Sequence, residues 1–281
     1  MKTTWAVIIP SYNRANDLKC MLPAVRRAAR RVGAKIIVVD DGSLKPLLQK
    51  EYPDEQIVVQ NNAGPATARN LGAALSSASF LAFIDDDCEP SENWLVELER
   101  VLLANPNSIV GGKTVNGLSS SILSQVSQNV TNALVSFLTD AGGRAQFFPS
   151  CNLAITAEVF EAIGGFDTDY GLAAGEDRDF CLRASERGVL GILAPSSIVK
   201  HSHHLSLRQF FRQHFNYGIG AAQLRKKWGD RAKLTNSSVF DFFVYSGANS
   251  NGFNRLAMHC IMMLAQTATF GGLVFGKLKF L

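Results

Sequence analysis

Three consecutive carboxylates, Asp85, Asp86 and Asp87, follow an apolar run in FIDDDCEP (residues 83–90). Like charges gathered at one site raise one another's pKa and destabilise a fold unless a cation or an array of donors offsets them. A hard divalent cation such as Mg²⁺ or Mn²⁺ takes carboxylate oxygens and shares its other positions with water and phosphates. The triplet therefore reads as a metal site or as a solvated acidic turn. In an extended run Asp85 and Asp87 share a side, so one can serve a ribose and the other a metal. A second group of acids, Glu176, Asp177 and Asp179 in GEDRDF (175–180), stands at a predicted helix start. There the acids either suit the helix dipole or supply a base that takes a proton from an acceptor hydroxyl. Imidazoles follow in VKHSHHLS (199–206), where His201 is the first candidate to complete a metal shell and surface placement is the alternative. Two further loops carry weaker signals. DDGS (40–43) offers an acid to the N–H groups of a base or to ribose hydroxyls, or is an ordinary turn. NAGPATARN (62–70) opens a helix at Gly64-Pro65, with free N–H groups for an anion and Arg69 one turn in, or is a plain helix start.

These loops need elements to hold them. WAVIIP (5–10), AKIIVVD (34–40), QIVVQ (56–60), SFLAFID (79–85) and SIVGG (108–112) read as strands. Their apolar runs lack alternation, as expected when both faces are covered. Between them the pattern predicts helices, one capped by Asn13 or Asn16 and running to about Arg31, one over 65–77 and one over 92–105. Strands alternating with helices specify an α/β fold with a mostly parallel central sheet and helices on both faces. In such sheets ligands bind beyond the carboxyl ends of the strands, so the loops after four of these strands face one cleft. The βαβ rhythm is lost in the second half, where 121–140 reads as a helix. From 253 to 277 the chain turns apolar. His259, Gln266 and two threonines interrupt that stretch, which fits an interfacial or protein-packed helix better than a bilayer span.

Composition excludes several classes. The 281 residues carry a net charge of +4, too little to argue for nucleic acid, with basic residues clustered only at 26–31 and 224–233. Five unpaired-looking cysteines with no CxxC spacing exclude a disulfide framework and a zinc site, and fit a reducing compartment. The start, MKTTWAVIIPSYNR, has too short an apolar run for a signal peptide, so the sequons at Asn129 and Asn236 carry little weight. No GxGxxG follows the first strand, and GGLVFGKL (271–278) lacks the Ser/Thr of a phosphate-binding loop.

In this order, IIPSYNR, VVDDGS, NAGPATARNLG, FIDDDCEP, SCNLAITAEVFEAIGGFD and GEDRDFCLR resemble the family-2 glycosyltransferases of the GT-A, Rossmann-like fold, over residues 5 to about 217. RQFFRQHFNYGIG (208–220) is similar to the helix that follows the catalytic residues there. The resemblance implies an inverting, Mg²⁺- or Mn²⁺-dependent transfer of a sugar from a nucleotide diphosphate-sugar, UDP-sugar first, to a hydroxyl of a glycan, lipid-linked or small-molecule acceptor. It implies that Pro10, Ser11, Tyr12 and Arg14 border the nucleotide, that Asp40 contacts the base, and that Gly64 and Arg69 line the nucleotide and diphosphate pocket. Asp85 or Asp86 then serves the ribose, and Asp87 the metal with His201 beside it. Asp177 matches the general base and Glu176 helps position the acceptor. Cys151, Asn152, Gly164, Gly165 and Asp167 match the acceptor-side wall. Residues 1–217 form the transferase domain in this reading, and 218–281 a helical extension with a possible peripheral contact to the cytoplasmic face of a membrane. A nucleotidyltransferase is the competing enzyme class, although PSYNRAND lacks its glycine-rich loop. A non-catalytic nucleotide-sugar-binding scaffold is the third reading.

Overall fold

A computed structural model describes residues 4–171, 174–232 and 252–280, with the side chains of 252–255 excepted. Asn236, the second sequon, lies outside the described residues. Strands β1 (Trp5–Ser11), β2 (Lys35–Asp40), β3 (Gln56–Val59), β4 (Phe80–Phe83), β5 (Cys88–Pro90), β6 (Ser108–Asn116), β7 (Leu153–Thr156) and β8 (Leu190–His201) form one sheet. Its order is β3-β2-β1-β4-β7-β6-β8-β5. The pairs β1–β2, β1–β4, β2–β3 and β6–β8 are parallel. Strand β7 runs antiparallel to both neighbours, and β5 runs antiparallel to β8. The α/β expectation holds, with a sheet that is mixed beyond β4.

Helices α1 (Ala15–Val32) and α3 (Trp94–Ala104) cover one face; α2 (Pro65–Ala74), α5 (Ala157–Ile163) and α6 (Glu176–Glu186) cover the other. Because side chains alternate along a strand, β1 sends Trp5, Val7 and Ile9 into a core with Leu18, Leu22 and Val25 of α1 and Trp94 and Leu98 of α3. Its Ala6 and Ile8 enter a second core with Ala68, Phe160 and Phe180. Within that second core the rings of Phe166 and Phe180 are 4.6 Å apart, and those of Phe83 and Phe160 are 5.3 Å apart. Such pairs add about 0.5–1.5 kcal/mol each beyond the area they bury. They fix the start of α6 to the end of β4.

The predicted caps of α1 are not used. Arg14 is the N-cap residue, while Asn13 sits in the left-handed region at φ 56°. Asn13 instead accepts from the Leu44 N–H through Oδ1 and donates its backbone N–H to Ser43 Oγ, both at 2.8 Å. A short polar side chain tolerates that backbone conformation, and the two bonds zip the loop after β1 to the loop after β2.

Two further helices, α7 (Leu207–Trp228) and α8 (Gly252–Lys279), pack against each other, with α4 (Ile122–Phe137) beside them. Ser206 and Gln209 form a reciprocal capping box at the start of α7. Helix α7 runs unbroken through residues 217 and 218. It meets α8 at backbone distance: a methyl at Gly218 would stand 1.9 Å from the Thr269 carbonyl oxygen, and one at Gly272 would stand 1.9 Å from that of Phe215. Met258, Met262 and Ala265 of α8 pack with Phe210 and Val126. By length and composition, Leu256–Lys279 is also apolar enough to cross a membrane.

Candidate active site

The loops after β1, β2, β3 and β4 converge with the start of α6 and one side of α7 on a cleft of about 1010 Å³. Sheet register brings the acids and the histidine together. Residues 195–197 of β8, including Pro195, fall in the register shift opposite Gly112 and Lys113 of β6, so the proline escapes the ladder. Beyond that shift His201 pairs with Cys88 across the β5–β8 ladder, which sets it beside Asp87.

Each member of the triplet meets a cation, and Asp86 and Asp87 share one. Asp85 accepts from Arg69 Nη2 at 2.8 Å. Asp86 accepts from Ser11 Oγ at 2.7 Å and from Arg14 Nη1 at 3.3 Å. Asp87 meets the same Arg14 nitrogen at 2.5 Å through Oδ2 and His201 Nε2 at 3.2 Å through Oδ1. Burial raises the Asp86 carboxyl, against Arg14, to about 7. Burial also acts to raise Asp87, but His201 and Arg14 outweigh it and hold the carboxyl well below the usual range. His201 is correspondingly raised to about 9, the Asp87 charge overcoming desolvation. Its Nδ1 is within 2.9 Å of Gln128 Oε1 on α4.

Asp87, Cys88 and His201 bring one possible ligand atom each to within 4.8 Å of one another. The buried Cys88 thiol is pushed well above its ordinary pKa by desolvation and by Cys151, and it leans on Asp87 Oδ1 at 3.7 Å. Sulfur is a soft donor that a hard ion does not favour, which leaves one carboxylate and one imidazole, the latter a ligand once it gives up its proton, facing a cleft open to phosphate oxygens. That donor set fits Mg²⁺ or Mn²⁺.

Across the cleft, α6 starts at Gly175 in the left-handed region, φ 98°. Glu176 is 5% exposed; its Oε1 accepts from Arg69 Nη1 at 3.2 Å and its Oε2 has no partner. Desolvation and the neighbouring Asp177 raise it to about 7 against Arg69. Asp177 is raised too, by desolvation that exceeds the help of Arg69 and of the Arg178 N–H, which it accepts at 2.8 Å. Asp179, in contrast, is wholly buried and spent on Arg183 at 2.7 Å, Lys227 at 2.8 Å and Trp228 Nε1 at 2.8 Å. The helix start thus divides its acids into two that face the cleft and one that anchors α6 to α7. Arg69, held 5.6 Å over the Phe166 ring, joins Asp85 on one side of the cleft to Glu176 on the other.

The sequence model of glycosyl transferase family 2 matches residues 6–159, more than half of the chain. The chain belongs to this family. A pre-mycofactocin glycosyltransferase of Mycobacterium tuberculosis is 29% identical over 274 residues, which cover 92% of this chain and 55% of the relative, so this glycosyltransferase spans about half of that relative's length. Among solved structures, a mannosyltransferase of Pyrobaculum calidifontis in complex with GDP-Man and Mn²⁺ superimposes with a TM-score of 0.62 at 15% identity, covering 97% of this chain and 86% of that one. GalNAc-T7 with UDP, GalNAc and Mn²⁺ gives a TM-score of 0.61 at 17% identity over 98% of this chain and 56% of that one. These likenesses show the GT-A fold.

Of the residues singled out in the sequence, the glycosyltransferase brings Pro10, Ser11, Tyr12, Arg14, Gly64 and Arg69 to the cleft, with Asp85, Asp86, Asp87, Cys151, Glu176, Asp177 and His201. Asp40 is not among the lining residues. Its Oδ1 accepts from the Ser43 N–H at 2.9 Å and its Oδ2 from the Leu47 N–H at 2.8 Å. Its neighbour Asp41 lines the cleft and draws in the following loop by accepting from the Ala63 and Gly64 N–H groups at 2.8 and 2.9 Å. Asn152, Gly164, Gly165 and Asp167 also stand behind the wall. Asn152 accepts from Trp94 Nε1 at 2.9 Å, and Gly164, at φ 90°, ends α5. Gly165 lies against Asn70, whose side chain exchanges two 2.8 Å bonds with the Phe166 backbone. Asp167 pairs with Lys227 at 2.6 Å. His203 is stacked on His201 at 4.9 Å instead of standing on the surface, and burial plus the His201 charge lower it to about 4. Sequence reasoning missed Gln128 and the residues of α7 and α8 in the cleft, although the spacing Gln209, Arg212, Gln213, Asn216, Tyr217, Ala221, Leu224 is a helical stripe.

Proposed function

We propose that this glycosyltransferase is inverting and metal-dependent, and that it moves a sugar from a UDP-sugar to a hydroxyl of a glycan, lipid-linked or small-molecule acceptor. One observation carries the reading: a single cleft holds Asp87 ionised beside His201 and, across Arg69, the pair Glu176 and Asp177 pushed toward protonation. Divergent pKa values of neighbouring carboxylates separate a charge-holding role from a proton-carrying one. Asp177 takes the proton of the acceptor hydroxyl as its oxygen forms the bond to the anomeric carbon. The bond from that carbon to the diphosphate oxygen breaks on the opposite face, and the configuration inverts. Glu176 orients the acceptor through its free Oε2. Asp87 and His201 would hold Mg²⁺ or Mn²⁺, which would supply charge neutralisation for the leaving diphosphate. Asp85 or Asp86 serves the ribose, and Asp41 and Gly64 border the base.

UDP and Mn²⁺ accompany GalNAc-T7 in its structure, and GDP-Man and Mn²⁺ the mannosyltransferase; both support a nucleotide diphosphate-sugar with a divalent ion. Titration calorimetry with UDP, with and without Mn²⁺, tests this reading. Tight binding that needs Mn²⁺ and disappears in Asp87→Ala is expected; equal binding in both proteins overturns it. A cytoplasmic location, peripheral on a membrane, is the accompanying proposal. It is supported by the exposed apolar side chains of α8, among them Leu256, Met263, Phe270 and Leu278. Flotation with anionic vesicles tests it, and a chain that stays with the soluble fraction contradicts it.

A further inference from the structure

Helix α8 is more than a brace for α7. Gln266 and Thr269 turn toward the cleft, on the same wall as Gln213, Asn216 and Tyr217 of α7. These five side chains are uncharged, in contrast to the arginines, aspartates and histidines that line the diphosphate end. The Thr269 hydroxyl donates to the Ala265 carbonyl at 2.9 Å, and the unspent hydrogen-bonding capacity lies with the amides. Gln213 Nε2 donates to Ser127 Oγ at 3.2 Å and to the Tyr217 hydroxyl, while its Oε1 is buried with no partner. Gln266 Nε2 meets only Met262 Sδ, at 4.0 Å. The Asn216 side chain has no hydrogen-bond partner among the described residues.

A carboxamide presents donors and an acceptor on one rigid plane, and a sugar hydroxyl likewise donates and accepts. An array of amides beside a tyrosine therefore suits a ring that carries several hydroxyls. The cation of the same α7 stripe, Arg212, is exposed, whereas Gln213, Asn216, Tyr217 and Gln266 are half-buried, so the amides themselves offer an anion no charge, and an alkyl chain would leave them unpaired. The position is fixed by backbone. Thr269 is the residue whose carbonyl closes on Gly218, so the wall cannot retreat without breaking the crossing.

We propose that the α7–α8 wall, with Asn216 and Gln266 as its specificity-determining residues, is an acceptor subsite for a neutral sugar unit. This rests on the reading of the cleft as a sugar-transfer site, and it narrows the acceptor to one that ends in a glycosyl residue. The glycine-packed helix contributed by residues 252–279 thereby becomes part of substrate recognition.

Saturation-transfer NMR on the full chain with UDP and Mn²⁺ present tests it. Methyl β-D-glucopyranoside, methyl β-D-galactopyranoside and methyl α-D-mannopyranoside serve as probes, and dimethyl phosphate as the anionic control. At least one glycoside is expected to bind saturably. Gln266→Leu and Asn216→Leu, each of which removes hydrogen bonds, are expected to weaken it at least about tenfold while UDP affinity stays within about twofold. Glycoside affinity unchanged in both variants overturns the proposal. So does saturable binding of dimethyl phosphate alone, or the failure of all three glycosides in a protein that binds UDP. Failure of UDP itself to bind overturns the underlying sugar-transfer reading and is seen in the same sample.

Discussion

Asp87 at the end of β4 and Glu176 at the start of α6 are buried carboxylates of one cleft, yet they titrate in opposite directions. Burial alone would raise both. The triplet has Arg14, Arg69 and His201 around it, whereas Glu176 meets one arm of Arg69 and Asp177 has the charges of Arg69 and Arg178 nearby. Cations separate Asp87 from Glu176, while Asp86, which burial raises to about 7 in spite of Arg14, shows that desolvation weighs as heavily. At Asp87 the cations outweigh burial and keep the negative charge, whereas at Glu176 and Asp177 burial outweighs them and favours the protonated acid. Arg69 reaches both regions, through Asp85 on one side and Glu176 on the other.

Removing the proton carrier has the largest expected effect. Asp177→Asn should lower the transfer rate by about a thousandfold, within the range for a lost general base, with UDP affinity nearly unchanged. Full transfer activity in that variant would remove Asp177 from the role. Next comes the charge holder: Asp87→Ala should weaken Mn²⁺-dependent UDP binding by at least about a hundredfold, since even residues behind a metal ligand cost about 10–100-fold. Gln128→Leu, which frees the His201 ring, should cost about tenfold in Mn²⁺ affinity and leave the thermal midpoint close to wild type; an unchanged affinity would show that Gln128 does not position the ring.

The smallest effect is on stability. The folded state raises Glu176 to about 7 from an ordinary 4.5, so it favours the protonated acid. That contribution is fully present below the unfolded pKa and is lost as pH rises from about 4.5 through 7. Glu176→Gln should therefore gain on wild type in thermal midpoint by a few degrees more at pH 8 than at pH 5. The reverse order would mean that the Arg69 contact outweighs burial. Asp177, shifted the same way, places the acid limb of kcat/KM above the ordinary carboxylate range.

The strand-end loops were legible because each motif is local: an apolar run stops and polar residues follow. Four of the five predicted strands, β1 to β4, deliver Ser11, Asp41, Gly64 and Asp87 to the cleft as the parallel-sheet rule requires. Choosing between Asp40 and Asp41 was beyond the sequence, because adjacent acids on a strand end point to opposite sides. Which one faces the cleft depends on the backbone N–H groups that each can reach. β7 and β8 were hidden for a different reason. β7 is a four-residue run inside a longer motif, and β8 carries Pro195 and two serines that a register shift accommodates. Gln128 carried no local signal, and Gln266 showed only as a polar break in an apolar stretch, since α4 and α8 reach the cleft only through tertiary packing.

The crossing of α7 and α8 has a consequence for how such an enzyme changes. Where helices meet through long side chains, a substitution can tilt one against the other and reshape a pocket gradually. Here Gly218 and Gly272 put backbone against backbone, and the spacing has no adjustable padding. Small steps in evolution or engineering are then confined to side chains that project from a fixed frame, while any change at the glycines is an abrupt one. New acceptor preferences should accumulate at positions such as 216 and 266, with the helices themselves held constant.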